Sequence, residues 1–196
     1  MKAFSISGSP RANVGKKDAN DLRRAGNVPC VIYGGTSQVG FYAPVNAFSK
    51  LVYSPEVQTV TITVDGKTYN TKIQEIQFHP VSDKILHIDF LELFDGKLTI
   101  MDIPVKLSGV APGVKAGGKL VTNLRKLKVK ALPKDLPDFI EVKIDSLEIG
   151  KDIRIGDLNI SGLKFLEPAN VVISAVKATR NTATAAAADD KAAKKK

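Results

Sequence analysis

Residues 59–73, TVTITVDGKTYNTKI, carry the sharpest structural signal in the chain. Val60, Ile62 and Val64 alternate with Thr59, Thr61 and Thr63, a period of two that puts apolar groups on one face of a strand and hydroxyls on the other. Asp65-Gly66 follows, a pair that tolerates the positive φ of a two-residue turn, and the chain returns through Lys67–Ile73. The segment reads as a β-hairpin and sets the expectation for its surroundings.

Upstream, Phe4 and Ile6 alternate with Ser5 and Ser7, which predicts a half-buried strand ending near Gly8 and Pro10. KKDANDLRRAG reads as a short helix with Ala19, Leu22 and Ala25 at three-residue spacing and Gly26 as its stop. VPCVIYGG and FYAPV read as strands. NAFSKLVYS reads as a helix capped by Asn46, with Phe48, Leu51 and Val52 on its apolar side. Downstream, QEIQF continues the returning hairpin strand, and KILHIDFLEL is a further strand. Strict alternation there places Ile85, His87, Asp89 and Leu91 on one face and Leu86, Ile88 and Phe90 on the other.

Composition changes near ELFDGKLT. Beyond it LTIMDIPVKL, KLKVKAL, DFIEVKI and NVVISAVKA all read as strands between Pro and Gly turns, so the second half is expected to be all-β. The sequence after Ala178, TRNTATAAAADDKAAKKK, has no large side chain with which to dock and reads as a flexible basic tail.

With 43% hydrophobic residues the chain has the material for packed cores, and 196 residues suffice for two domains. The lone Cys30 excludes an internal disulfide, and no apolar run approaches the ~20 residues of a membrane span. These features predict a soluble protein of a reducing compartment. The net charge of +9 suggests a polyanionic partner. Lys2, Arg11, Lys16, Lys17, Arg23 and Arg24 crowd the first 24 residues, and eight basic residues with no acid lie between Asp102 and Asp135. Lys126, Lys128 and Lys130 share one strand face, which fits either a solvated surface or contact with phosphates.

GVKAGGK, residues 113–119, falls one residue short of a phosphate-binding loop: Leu120 replaces the magnesium-binding hydroxyl, and a turn between strands is the better reading. Cys30, inside VPCVIY, reads as a buried structural thiol. The two histidines, His79 and His87, lie with Asp89 in FHPVSDKILHIDF. Three such groups could ligate zinc, and a metal-dependent hydrolase centred on them is the alternative function. A nucleic-acid surface uses more of the neighbouring residues. Arg and Lys hold phosphates, Gln and His address base edges or ribose, Tyr33 stacks, and Asp89 accepts from base amino groups.

RANVGKKDANDLRRAGNVPCVIYGG resembles the opening of the bacterial large-subunit ribosomal proteins of the L-twenty-five/Ctc family, through Arg11, Gly15, Lys16, Leu22, Arg23, Gly26, Pro29, Tyr33 and Gly34. QEIQFHPVSDKILHIDF resembles the family's second hallmark, Q-x-x-Q-x-H-P ending in H-x-D-F. PVKLSGVAPGVKAGGKL and LPDFIEVKIDSLEIGKDIRIGDL look like the second domain of its longer members. The resemblance implies a structural, non-enzymatic protein without cofactor or metal. It would bind 5S rRNA at loop E, help form the central protuberance of the large subunit, and reside as a monomer in cytoplasmic ribosomes. The fold it implies is mainly β: a small β-barrel with short helices over 1–94, a β-sandwich-like domain over 95–180 and a disordered Ala/Lys-rich tail over 181–196. Carried over position by position, the leading RNA contacts are Arg11, Lys16, Arg23, Tyr33, Gln74, His87 and Asp89, followed by Arg24, Gln77 and His79. A second basic surface, Arg125, Lys126, Lys128 and Lys130, would meet large-subunit rRNA or neighbouring ribosomal proteins. A protein–protein adaptor role for the second domain alone is a third reading.

Overall fold

The computed structural model describes residues 2–54, 56–158, 160 and 162–179; the tail expected over 181–196 lies outside them. The chain divides into two compact units, one of Met1–Thr99 with Leu132–Asp138, the other of Ile100–Ala131 with the described residues from Phe139 onward.

The first unit is a closed six-stranded barrel with two short helices. Its elements are β1 (Lys2–Pro10), α1 (Lys16–Arg24), β2 (Asn27–Tyr33), β3 (Val39–Pro44), α2 (Val45–Val52), β4 (Gln58–Val64), β5 (Lys67–Phe78) and β6 (Ile85–Glu92). The strands close in the order β1-β3-β2-β6-β5-β4, with β1 parallel to β4. The hairpin forms as the sequence predicts: Val64 pairs with Lys67, Asp65 and Gly66 take φ of 50° and 73°, and Val60 and Ile62 are wholly buried. Ile6 is buried and Phe4 packs against the same core. β1 runs on through Gly8, which pairs with Val64, and position 8 is a glycine because a Cβ there would strike the Phe41 ring.

Helix α2 carries Phe48 and Leu51 into the barrel core, where Phe48 and Phe41 flank Phe90 at centroid distances of 6.3 and 5.8 Å. Asn46 is not its cap. The helix begins at Val45 with Pro44 in the cap position and no side-chain cap bond, so Asn46 falls inside the first turn. Helix α1 ends as expected, with Gly26 at φ 80°, yet it buries no residue. Ala25 is exposed, and the three-residue spacing marks a half-covered side rather than a core stripe.

The second unit is a pair of sheets. β7 (Thr99–Ser108), β9 (Lys126–Ala131), β10 (Ile140–Lys143) and β12 (Lys164–Phe165) form one in the order β10-β7-β9-β12; β8 (Lys119–Thr122), β11 (Asp152–Arg154) and β13 (Val172–Lys177) form the other in the order β11-β13-β8. Leu107 from one sheet and Leu120, Ile153 and Val176 from the other meet around Ala111, Ile144 and Leu147, the sandwich-like arrangement expected. The only α-helix of this unit among the described residues, α3 (Pro112–Lys115), has four residues. It opens the stretch that nearly matched a phosphate loop. Gly113 is buried where a Cβ would strike the backbone of Glu148 and Ile149, so this glycine serves close packing.

Candidate nucleic-acid interface

The outer face of β2, β6 and β5 is shaped by two irregularities in β5–β6 pairing. Ile73 pairs with Phe90 and Glu75 with Asp89, so Gln74 is an extra residue on β5. Tyr69, Thr71 and Ile73 turn toward the core before it, and Ile76 does so after it. On a regular strand Gln74 and Gln77, three apart, would point to opposite faces; with the bulge between them both are exposed. The second irregularity is on β6, where Gln77 pairs with His87 and Phe78 with Ile85, leaving Leu86 without a cross-strand partner. Strict alternation therefore fails at this end. Ile85 is buried rather than sharing the outer face with His87, and Leu86 is only half-buried.

From His87 onward the alternation holds, with Ile88 and Phe90 inward and His87 and Asp89 outward. His87 Nδ1 lies 2.6 Å from Asp89 Oδ1, both side chains partly exposed. With its Nδ1 hydrogen given to the carboxylate, a neutral His87 offers Nε2 as an acceptor. Asp89 sits between Val31 of β2 and Glu75 of β5. Tyr33, two residues beyond Val31, is close enough to feel both carboxylates. Its phenol pKa is raised by burial first, then by Asp89, then by Glu75. The phenol remains a hydrogen-bond donor at neutral pH. Glu75 escaped the sequence reading, because the bulge that sets it across from Asp89 has no signature in composition or period.

Four basic residues of the expected interface lie on or beside α1, in two kinds of environment. Lys16 and Arg24 are exposed, Arg24 making only a loose contact to Asp21 at 3.7 Å. Arg11 is engaged within the protein: its Nε and Nη2 both donate to Asp18 Oδ2, at 3.2 and 2.7 Å, and its side chain is 6% exposed. Arg23 donates from Nε to the carbonyl of Leu86 at 3.0 Å and from Nη1 to Asn20 at 3.3 Å. Two guanidinium groups thus tie α1 to the barrel.

His79 organises the loop from β5 to β6. Its Nδ1 accepts from the backbone N–H of Val81 and Ser82, and its own N–H and carbonyl bond Lys84 and Asp83. Asp83 takes a φ of 52° to close the turn. The acceptor role requires a bare Nδ1, which leaves the exposed Nε2–H as a donor. The metal-hydrolase alternative centred on His79, His87 and Asp89 finds no assembled ligand set: His79 Nδ1 is committed to its own loop, while His87 and Asp89 pair with each other on β6. Among the described residues no group of three His, Cys, Asp or Glu could hold a metal ion. Cys30 is wholly buried, and desolvation pushes its thiol far up from the ordinary range, so it is no nucleophile. In the second unit Arg125, Lys126 and Lys128 are exposed and Lys130 is half-buried.

Two family models match the chain in the order of its two units: that of the ribosomal L25p family over residues 6–90, and that of the C-terminal domain of ribosomal protein TL5 over residues 99–180. The chain is 46% identical to the large ribosomal subunit protein bL25 of Porphyromonas gingivalis over 182 residues, 92% of this chain and 95% of the relative. The chain belongs to the ribosomal L25p family. Proteins of the same name from Cytophaga hutchinsonii and Amoebophilus asiaticus are 44% and 43% identical, over 92% and 100% of this chain and 94% and 100% of theirs. All ten candidate contacts from Arg11 to Asp89 fall inside the L25p match, and Arg125 to Lys130 inside the TL5 match. Membership of a ribosomal-protein family makes this a structural protein rather than an enzyme.

Proposed function

We propose that this L25p-family chain is a constituent of the large ribosomal subunit whose barrel holds 5S rRNA at loop E and helps form the central protuberance, ribosome-bound in the cytoplasm. The observation that carries the reading is the outer face of β2-β6-β5. A His87–Asp89 pair and Tyr33 stand there between exposed glutamines on one side and α1, with its exposed Lys16 and Arg24, on the other.

Carboxylates repel phosphates, so Asp89 is useful on such a face only where it accepts from base amino groups. A regular A-form helix hides those groups in a major groove too narrow to enter, whereas an irregular helix opens it. Lys16 and Arg24 meet phosphates. Arg11 and Arg23 act by positioning α1, although Arg23 keeps Nη2 for the RNA.

The test is binding of the full chain to a 5S fragment containing loop E, beside a plain RNA duplex, over a salt series. The fragment is expected to bind at least tenfold more tightly. Asp89→Ala should erode that preference, while Lys16→Ala should weaken both RNAs and flatten the salt slope by about one. Equal affinity for the two RNAs, with Asp89→Ala silent, would sink the reading.

A further inference from the structure

The bulge on β5 does more than adjust the faces of the strand. An extra residue sets two side chains of one strand against one of its partner, and bulges recur where a side chain has to be re-aimed. Here Gln74 and Glu75 together stand opposite Asp89. Both are exposed, while Ile73 before them and Ile76 after them pack against the core. At this level of the face β6 presents one polar side chain and β5 presents two.

Glu75 is the member that needs a reason. Its carboxylate is in register with that of Asp89, and like charges directly opposite one another on a sheet are destabilising. Asp89 has His87 at 2.6 Å, whereas Glu75 takes part in no ion pair among the described residues. Tyr33, on the β2 side of Asp89, lies within electrostatic reach of both acids, but its single hydroxyl hydrogen serves one acceptor at a time. A lone surface glutamate is ordinarily a solvated side chain. This one is held opposite a second acid by a bulge, on a face proposed to meet a polyanion, where a carboxylate that found no donor would weaken binding.

We infer that Glu75 is a specificity-determining residue of the barrel: Glu75 and Asp89 accept hydrogen bonds from the exocyclic amino groups of two neighbouring bases, and together they repel a helix that presents phosphates instead. Opposed residues on paired strands stand about 5 Å apart at Cβ, a spacing that two neighbouring bases can meet. A carboxylate that accepts from a base amino group discriminates among bases, because acceptor edges are refused. The opposition of the two acids is relieved only by a ligand that brings two donors, so the same contact attracts the right RNA and penalises the wrong one. The inference rests on the barrel holding an irregular RNA helix, and adds a second acceptor to Asp89.

The test uses the full chain and its Glu75→Gln and Asp89→Asn variants. The probes are the loop E fragment, a plain RNA duplex, and loop E fragments that lack one amino group at a time. Inosine for guanosine, purine riboside for adenosine and 2-pyrimidinone riboside for cytidine remove those groups. In the parent, removal is expected to weaken binding about tenfold at two neighbouring positions. Glu75→Gln should bind the intact fragment about tenfold more weakly, be indifferent to removal at one of the two positions and keep the loss at the other. Asp89→Asn should show the converse. The plain duplex should bind Glu75→Gln about two- to threefold more tightly, because a charge that repels phosphate is gone. Opposite signs on the two RNAs separate base reading from a structural role, so weaker binding to both overturns the inference. Tighter binding to both also overturns it and makes Glu75 a solvated charge that the RNA tolerates. A parent that prefers loop E, with Glu75→Gln as sensitive as the parent to every amino removal, overturns the inference and leaves the barrel reading standing. A parent with no preference for loop E fails the barrel reading, and the inference falls with it.

Discussion

Arg23 donates from its Nε to the carbonyl oxygen of Leu86, 3.0 Å away, and Leu86 is the residue that β6 leaves without a cross-strand partner just before His87. One side chain therefore serves as one of the two ties on α1, beside the Arg11–Asp18 pair, and occupies the acceptor beside the bulge. Helix α1 needs the tie. It has nine residues, none of them buried, and a helix so short does not persist in water by itself.

Arg23→Ala should free α1 while leaving the barrel closed. Amide exchange across Lys16–Arg24 is expected to quicken at least tenfold, with the melting temperature falling by only a few degrees. Arg23→Lys should not restore protection, because an ammonium cannot bond Leu86 and Asn20 together with a planar fork. Unchanged exchange in the alanine variant would show that other contacts hold the helix.

Arg11 and Asp18 differ in exposure, and this fixes the order of their effects. Arg11 is 6% exposed and Asp18 33%. Removing Asp18 strands a covered guanidinium, whereas removing Arg11 leaves a carboxylate that water reaches. Asp18→Ala should cost about 2 kcal/mol and Arg11→Ala about 1 kcal/mol. Urea midpoints measure the order, and a reversed order would mean that Arg11 finds other acceptors. In RNA binding, Arg11→Ala should leave the salt slope where Lys16→Ala lowers it by about one.

Tyr33 reports on the carboxylates beside it. Its pKa is raised by burial, Asp89 and Glu75, in that order. Asp89→Asn should bring the phenol's titration midpoint down toward the ordinary tyrosine value, and Glu75→Gln should do so by less. Because the fold favours the protonated phenol, the stability it lends is complete below about pH 10 and is lost as pH rises through the raised value. The ring-carbon chemical shift of Tyr33 across an alkaline titration measures each midpoint. A midpoint that moves with neither substitution would separate Tyr33 from this face.

What the sequence made legible is whatever repeats locally. The Val60–Ile62–Val64 alternation, the Asp65-Gly66 turn and the Leu127–Val129 row each encode a face in a few residues, and the structure follows them. The bulges at Gln74 and Leu86 are different in kind. An extra residue on a strand is defined only by its partner strand, so strict alternation misplaced Ile85 and passed over Glu75. The engagement of Arg11 and Arg23 was equally hidden. A guanidinium bound to Asp18 or to Leu86 has the same letter in the sequence as one open to phosphate. Short strands such as β11 and β12, of three and two residues, carry too few side chains to show a period.

Cys30 supplies a test of the barrel core. It is wholly buried on β2, and desolvation raises its thiol pKa strongly, against a smaller lowering by the backbone of Ile88. In the unfolded chain the thiol ionises with the ordinary value near 8.5. Above that pH unfolding releases a proton, so stability must fall by about 1.4 kcal/mol for each further pH unit through this group alone. Urea midpoints of the parent and of Cys30→Ala, compared from pH 7 to pH 10, isolate the effect from every other titrating group. The difference between them is expected to be constant below pH 8 and to shift steadily in favour of the alanine variant above it. Thiol reagents should label native Cys30 only at the rate at which the barrel opens. Rapid labelling under native conditions, or parallel pH profiles for the two proteins, would mean that solvent reaches the barrel core at Cys30.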